Sequence, residues 1–151
     1  MNQSHQLLNL LESLGFCAIS HTLRFFHIPK VIIGFSSAFI FSSSPFSTEH
    51  ILPKAKGGSD TLENLALACQ GCNNFKYTHT SVVDPVTGEL ALIYNPRQHK
   101  WSEHFQWNKD LLLLIGLSPT GRGTIEQLKL NREGVINQRR ILRKSNLHPP
   151  V

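Results

Sequence analysis

The chain has 151 residues, enough for one ordinary domain with a modest core and too few for two well-built ones. Lys and Arg outnumber Asp and Glu by 15 to 10, a formal charge of +5, which suits a polyanion such as nucleic acid or simply keeps a small protein soluble. The cysteines, Cys17, Cys69 and Cys72, are odd in number and include one tight Cys-x2-Cys pair, which argues against a secreted disulfide framework and for metal binding in a reducing compartment.

In chain order, residues 6–14 carry Leu7, Leu8, Leu10, Leu11 and Leu14 ahead of Gly15, a spacing that predicts a short amphipathic helix. From 25 to 46 the pattern turns β-branched, aromatic and Ser-rich, predicting a strand or a disordered hydrophobic stretch rather than helix. The apolar run 31–41 is interrupted by Gly34, Ser36 and Ser37 and falls short of the roughly 20 residues a spanning helix needs. It also lies too far from Met1 for a usual signal peptide. The expectation is a soluble, cytoplasmic protein with no membrane partner, its first 43 residues a divergent and partly disordered segment.

Pro53, Gly57-Gly58 and Ser59-Asp60 then mark a loop. A short apolar segment, 64–67, leads into the cysteine pair, and 73–77 reads as a helix beginning on the Cys-x2-Cys turn. Residues 84–88 predict a turn between extended segments, 90–94 a strand, Asn95-Pro96 another turn, and 111–114 a second strand beyond the aromatic segment of Trp101, Phe105 and Trp107. Thr120 is the expected N-cap of a helix reaching about Lys129, and Asn131 that of a helix over about 132–144, before Pro149 and Pro150. Seven basic residues fall between Arg122 and Lys144 against only Glu126 and Glu133. They suit either a phosphate-tracking surface, with Arg139, Arg140 and Arg143 as contacts, or a solvated helical face.

The densest chemistry reads Glu49-His50, Pro53-Lys54, Gly57-Gly58, Glu63-Asn64-Leu65, then Cys69-Gln70-Gly71-Cys72-Asn73-Asn74-Phe75-Lys76. An acid-His pair before x2-Pro, a double glycine, Asn-Leu, and Cys-x2-Cys-Asn-x2-Lys, in this order and spacing, resemble the HNH endonuclease family. Asp84–Glu89, Asn95-Pro96-Arg97, Trp101, His104-Phe105, Trp107 and Gly116–Arg122 look like a bacterial subgroup of it, so the resemblance spans about 44–143.

That resemblance implies an α+β fold: a ββα-metal finger over 44–80, with two antiparallel strands around Phe46 to Leu67 and a short helix from about Gly71. Additional short strands and two basic C-terminal helices would follow over 81–147. It also implies hydrolysis of phosphodiester bonds in DNA, with RNA the other candidate substrate. Such hydrolysis needs an activated water, a task that suits a neutral imidazole, here His50. It also needs charge stabilisation at the phosphate, which suits Mg²⁺ or Mn²⁺ on hard oxygen ligands. By resemblance Glu49 and Asn73 hold that ion, Asn64 bonds the loop or the base and orients the imidazole, and Lys76 contacts phosphate as a point charge. Lys54 is a further candidate nucleic-acid contact. His99 and His104 lack comparable context and are expected to be structural.

Many similar proteins carry a second Cys-x2-Cys upstream of the acid-His pair, and four thiolates then close a structural Zn²⁺ site. Here Cys69 and Cys72 have only Cys17 upstream. Cys17 and His21, at i and i+4, would complete a Cys₃His set if they shared one helical turn, with His27 a weaker substitute. Two other readings therefore stay open on the same residues: a nucleic-acid-binding zinc module without catalysis, and an inactive HNH remnant whose finger has lost its support.

Overall fold

A computed structural model describes residues 46–146, 148 and 149. The expectations for an N-terminal helix, for the stretch before Phe46, and for Cys17, His21 and His27 lie outside the described residues. Strand β1, Phe46–His50, pairs antiparallel with β2, Leu65–Cys69, in a register that sets Ser47 opposite Ala68, Glu49 opposite Ala66 and His50 opposite Leu65. Helix α1, Gln70–Lys76, leaves β2 with no linker. Directly opposed residues share a sheet face, so Ser47, Glu49, Ala66 and Ala68 line the side on which α1 lies. Ala66 and Ala68 are buried there, and their short side chains let the helix approach closely. The expected ββα unit is thus present.

Two further hairpins follow. Strands β3, Ser81–Val83, and β4, Leu90–Leu92, flank the turn at 84–88, where Asp84 N donates to Glu89 O at 2.8 Å and Gly88 N to Asp84 O at 2.8 Å. A single helical turn, α2, Trp101–His104, runs into β5, Phe105–Trp107, which pairs with β6, Leu114–Gly116. Helices α3, Pro119–Gln127, and α4, Glu133–Lys144, complete the α+β fold. Among the described residues a hydrophobic core draws on Ala66, Val82, Ile93, Phe105, Leu128 and Leu130, and so joins the three hairpins to the chain beyond α3. Among the described residues no helix is long and apolar enough to cross a membrane.

Three local expectations are corrected. The strand expected over 111–114 begins only at Leu114. Leu111 takes φ 58°, and Asn108 Oδ1 accepts from Leu112 N and Leu113 N, both at 2.9 Å, so 108–113 is a turn. The N-cap of α3 is Ser118, whose Oγ accepts from Gly121 N at 3.0 Å. Pro119 occupies the first helical position, where its missing N–H is no loss, and Thr120 is already inside the helix. Asn131 does not cap α4. Its Oδ1 accepts from Leu114 N and its Nδ2 donates to Leu114 O, each at 2.9 Å, clasping β6 instead.

Candidate active site

The loop from Ile51 to Asn64 returns the chain from β1 to β2, and Asn64 organises it. Its Oδ1 accepts from Leu52 N at 2.8 Å, while its Nδ2 donates to Leu52 O at 3.0 Å and Ser59 O at 2.8 Å. One amide thus satisfies three backbone groups that no strand ladder reaches. It binds the loop and not the imidazole. The double glycine has two separate causes. Gly57 takes φ 84°, a left-handed conformation that side chains resist. At Gly58 a Cβ would stand 1.8 Å from Leu52 O and 2.8 Å from Asn64 Nδ2, so the clamp closes only around a residue with no side chain.

Successive residues on β1 point to opposite faces, which separates Glu49 from His50. Glu49 is buried and accepts from Lys76 Nζ at 2.6 Å through Oε1. The same ammonium donates to His50 O at 2.8 Å. Lys76, expected to contact phosphate, is only 2% exposed, and it serves as the internal counter-ion of Glu49. The lysine ends a two-turn helix packed on β1, one turn beyond Asn73, so its side chain points at the strand and not at solvent. Asn73 is half-buried, and its Nδ2 donates to Ser47 Oγ at 2.8 Å.

Glu49 Oε2 and Asn73 Oδ1 have no hydrogen-bond partner among the described residues. A carboxylate oxygen and an amide oxygen on one face of the unit are the donors a hard divalent cation takes, so these two residues fit the ion the resemblance implies.

His50 lies on the loop side, with its side chain 24% exposed. Its Nε2 is 2.7 Å from Asp60 Oδ1, and Asp60 Oδ2 is 2.7 Å from Lys54 Nζ. The Lys54 ammonium, and then the His50 contact, hold the Asp60 carboxyl below its ordinary value. Lys54 remains exposed but is engaged by Asp60. Sequence reasoning read Ser59-Asp60 only as turn chemistry. The nine residues between His50 and Asp60 give no periodic signal, and the meeting of the two side chains depends on the path of the loop.

Cys69 and Cys72 are buried thiols at the start of α1, where Cys69 Sγ accepts from Cys72 N at 3.5 Å. The contact with Cys69, then burial, push the Cys72 thiol well above its usual value. Arg132, between α3 and α4, brings Nη2 to 3.7 Å from Cys69 Sγ and Nη1 to 3.8 Å from Cys72 Sγ, with its guanidinium 5.7 Å over the Phe75 ring. Two sulfurs make half of a tetrahedral zinc set. No group of three or more His, Cys, Asp or Glu able to hold a metal occurs among the described residues, and a guanidinium faces the pair instead. These residues alone do not fit a closed zinc site.

Arg139, expected on a nucleic-acid surface, is fully buried. It donates to Leu112 O at 2.7 Å, Asn131 Oδ1 at 3.0 Å and Leu130 O at 2.8 Å, and lies 5.0 Å over the Trp107 ring. The reason is helical phase: Val135, Arg139 and Leu142 share the buried face of α4. Arg140, Arg143 and Lys144 are exposed, with Arg143, one turn beyond Arg139, donating to Asp110 O at 2.8 Å. His99 and His104 pack together with centroids 4.9 Å apart, each beside Tyr94.

Residues 40–83 match the family model for HNH endonuclease. The match covers β1, the Asn64-clamped loop, β2 and α1, so the resemblance to that family holds on the segment that builds the candidate site and supports a nuclease-family role. Comparisons with curated proteins and with solved structures returned no match.

Proposed function

We propose that the protein is an endonuclease that hydrolyses phosphodiester bonds of DNA, with His50 as general base and a divalent ion, Mg²⁺ or Mn²⁺, held by Glu49 and Asn73. The observation that carries the reading is the presence of these groups on one ββα unit: an imidazole at the C-terminal end of β1, and two unclaimed oxygens, one from Glu49 on the β1 face that α1 covers and one from Asn73 on α1 itself. A divalent ion there would supply Lewis-acid stabilisation of phosphate and leaving-oxygen charge. The chain's own residues do the rest. His50 takes the proton of the attacking water. Asn64 keeps the loop beside His50 in one conformation, and Lys76, 2.6 Å from Oε1, fixes the position of the buried Glu49 side chain.

The test is plasmid cleavage by wild type and His50→Ala, with Mg²⁺ or Mn²⁺ and with EDTA. We expect cleavage by wild type, arrest by EDTA, and a loss of about 10²- to 10⁴-fold in His50→Ala, the usual contribution of a positioned acid or base. Folded wild type that binds DNA without cutting it would replace this reading with that of a binding module.

A further inference from the structure

We infer that Asp60 is a positioning residue for His50: its carboxylate keeps the imidazole proton on Nε2 and so leaves Nδ1 as the nitrogen that accepts the proton of water. The inference rests on the nuclease reading above. An ionised carboxylate can only accept a hydrogen bond, so the 2.7 Å contact between Asp60 Oδ1 and His50 Nε2 requires a proton on Nε2. In a neutral imidazole the other nitrogen then carries the lone pair. Nδ1 has no hydrogen-bond partner among the described residues.

The carboxylate is itself held from its far side, since Lys54 Nζ binds Oδ2 at 2.7 Å. A three-membered line, ammonium to carboxylate to imidazole, therefore fixes both the rotation of the ring and its tautomer. The loop geometry makes this contact reachable. Asn64 binds Ser59 O at 2.8 Å, one residue before Asp60, and so anchors the carboxylate's backbone. A base held by a carboxylate partner loses most of its function when the partner becomes an amide, because the amide can donate and so stabilise the wrong tautomer.

The experiment pairs two readouts on the full chain. Imidazole ¹⁵N shifts, recorded at a pH where the ring is neutral, report which nitrogen of His50 carries the proton, and they need no activity. Single-turnover plasmid cleavage with Mg²⁺ or Mn²⁺ reports the consequence. We expect an Nε2-protonated ring in wild type and a mixed or Nδ1-protonated ring in Asp60→Asn. The cleavage step should fall roughly 10- to 100-fold, with DNA affinity nearly unchanged, and Asp60→Glu should recover part of the loss. Asp60 is exposed, so the amide variant should fold. A cutting wild type whose His50 tautomer ignores Asp60→Asn overturns the positioning role alone, as does an Asp60→Asn protein that cuts at the wild-type rate. A wild type that never cuts, while the tautomer still moves with Asp60, overturns the nuclease reading and the catalytic role of Asp60 with it.

Discussion

A lysine that reads as a phosphate contact and one that neutralises a buried carboxylate make opposite demands on a substitution. Lys76→Met removes the ammonium that meets Glu49 Oε1 and His50 O and leaves a carboxylate only 6% exposed without its counter-ion. Breaking a buried pair from one side typically costs about 3–5 kcal/mol. We therefore expect a large drop in urea-denaturation midpoint; an unchanged midpoint with weakened DNA binding would restore the phosphate role. The same reasoning applies to Gly58. A Cβ 1.8 Å from Leu52 O cannot be absorbed by a side-chain rotation, because the obstacle is backbone. Gly58→Ala should cost about 2–3 kcal/mol and disturb the loop that carries Asp60, whereas the exposed neighbour Ser59 should tolerate alanine. Thermal melts of the two variants side by side test this.

At the scale of elements, the β3–β4 hairpin is fastened to α3 by one ion pair. Arg122 Nε and Nη2 donate to Asp84 Oδ1 and Oδ2 at 2.8 and 2.7 Å, and Thr87 Oγ1 donates to Oδ2 at 2.9 Å. The Arg122 guanidinium holds the buried Asp84 carboxyl far below the usual carboxylate range. A depressed folded-state value means that this contribution is complete above about pH 4, the ordinary value for aspartate. It is lost as pH falls from there toward the folded-state value. Asp84→Asn should therefore be less stable than wild type at pH 7, with the gap narrowing below pH 4; a gap of constant size across that window would deny the linkage. Much of this architecture was legible in the sequence. The acid-His pair, the double glycine and the Cys-x2-Cys-Asn run anticipated β1, the loop, β2 and α1, because each short motif sits where backbone geometry leaves little choice. What stayed hidden was pairing across the fold: Asp60 with His50, Lys76 with Glu49, Arg132 with the thiols. A basic side chain looks alike in sequence whether it meets water, phosphate or a buried acid, and only the phase of the helix carrying it separates Arg139 from Arg140.

Across the whole molecule, the C-terminal helices have two tasks that their charge alone would merge. One is support of the finger. Gln127 Nε2 donates to Phe75 O at 2.8 Å near the end of α1, while Arg132 reaches Cys69 and Cys72 at its start, so both ends of the helix that bears Asn73 and Lys76 are tied to the α3–α4 unit. The other, which we propose, is phosphate contact by the exposed Arg140, Arg143 and Lys144. If they track phosphates, each replacement by alanine should lower the slope of log affinity against log salt by about 0.9 for duplex DNA and leave the melting temperature nearly unchanged. Arg139→Ala should instead unfold the protein at lower denaturant and say nothing specific about DNA. The support task bears directly on zinc. A guanidinium facing both sulfurs already supplies positive charge where a metal would sit, and zinc would first have to take the proton from a Cys72 thiol pushed well above its usual value. We expect purified protein to carry well under one zinc per chain and to melt at the same temperature with and without a chelator. Arg132→Met should lower stability by roughly 1–3 kcal/mol through the lost charged hydrogen bonds and ring contact. Near one zinc per chain, removed by chelator with a clear fall in melting temperature, would mean that ligands beyond the described residues close the tetrahedron, with Cys17 and His21 the first to substitute.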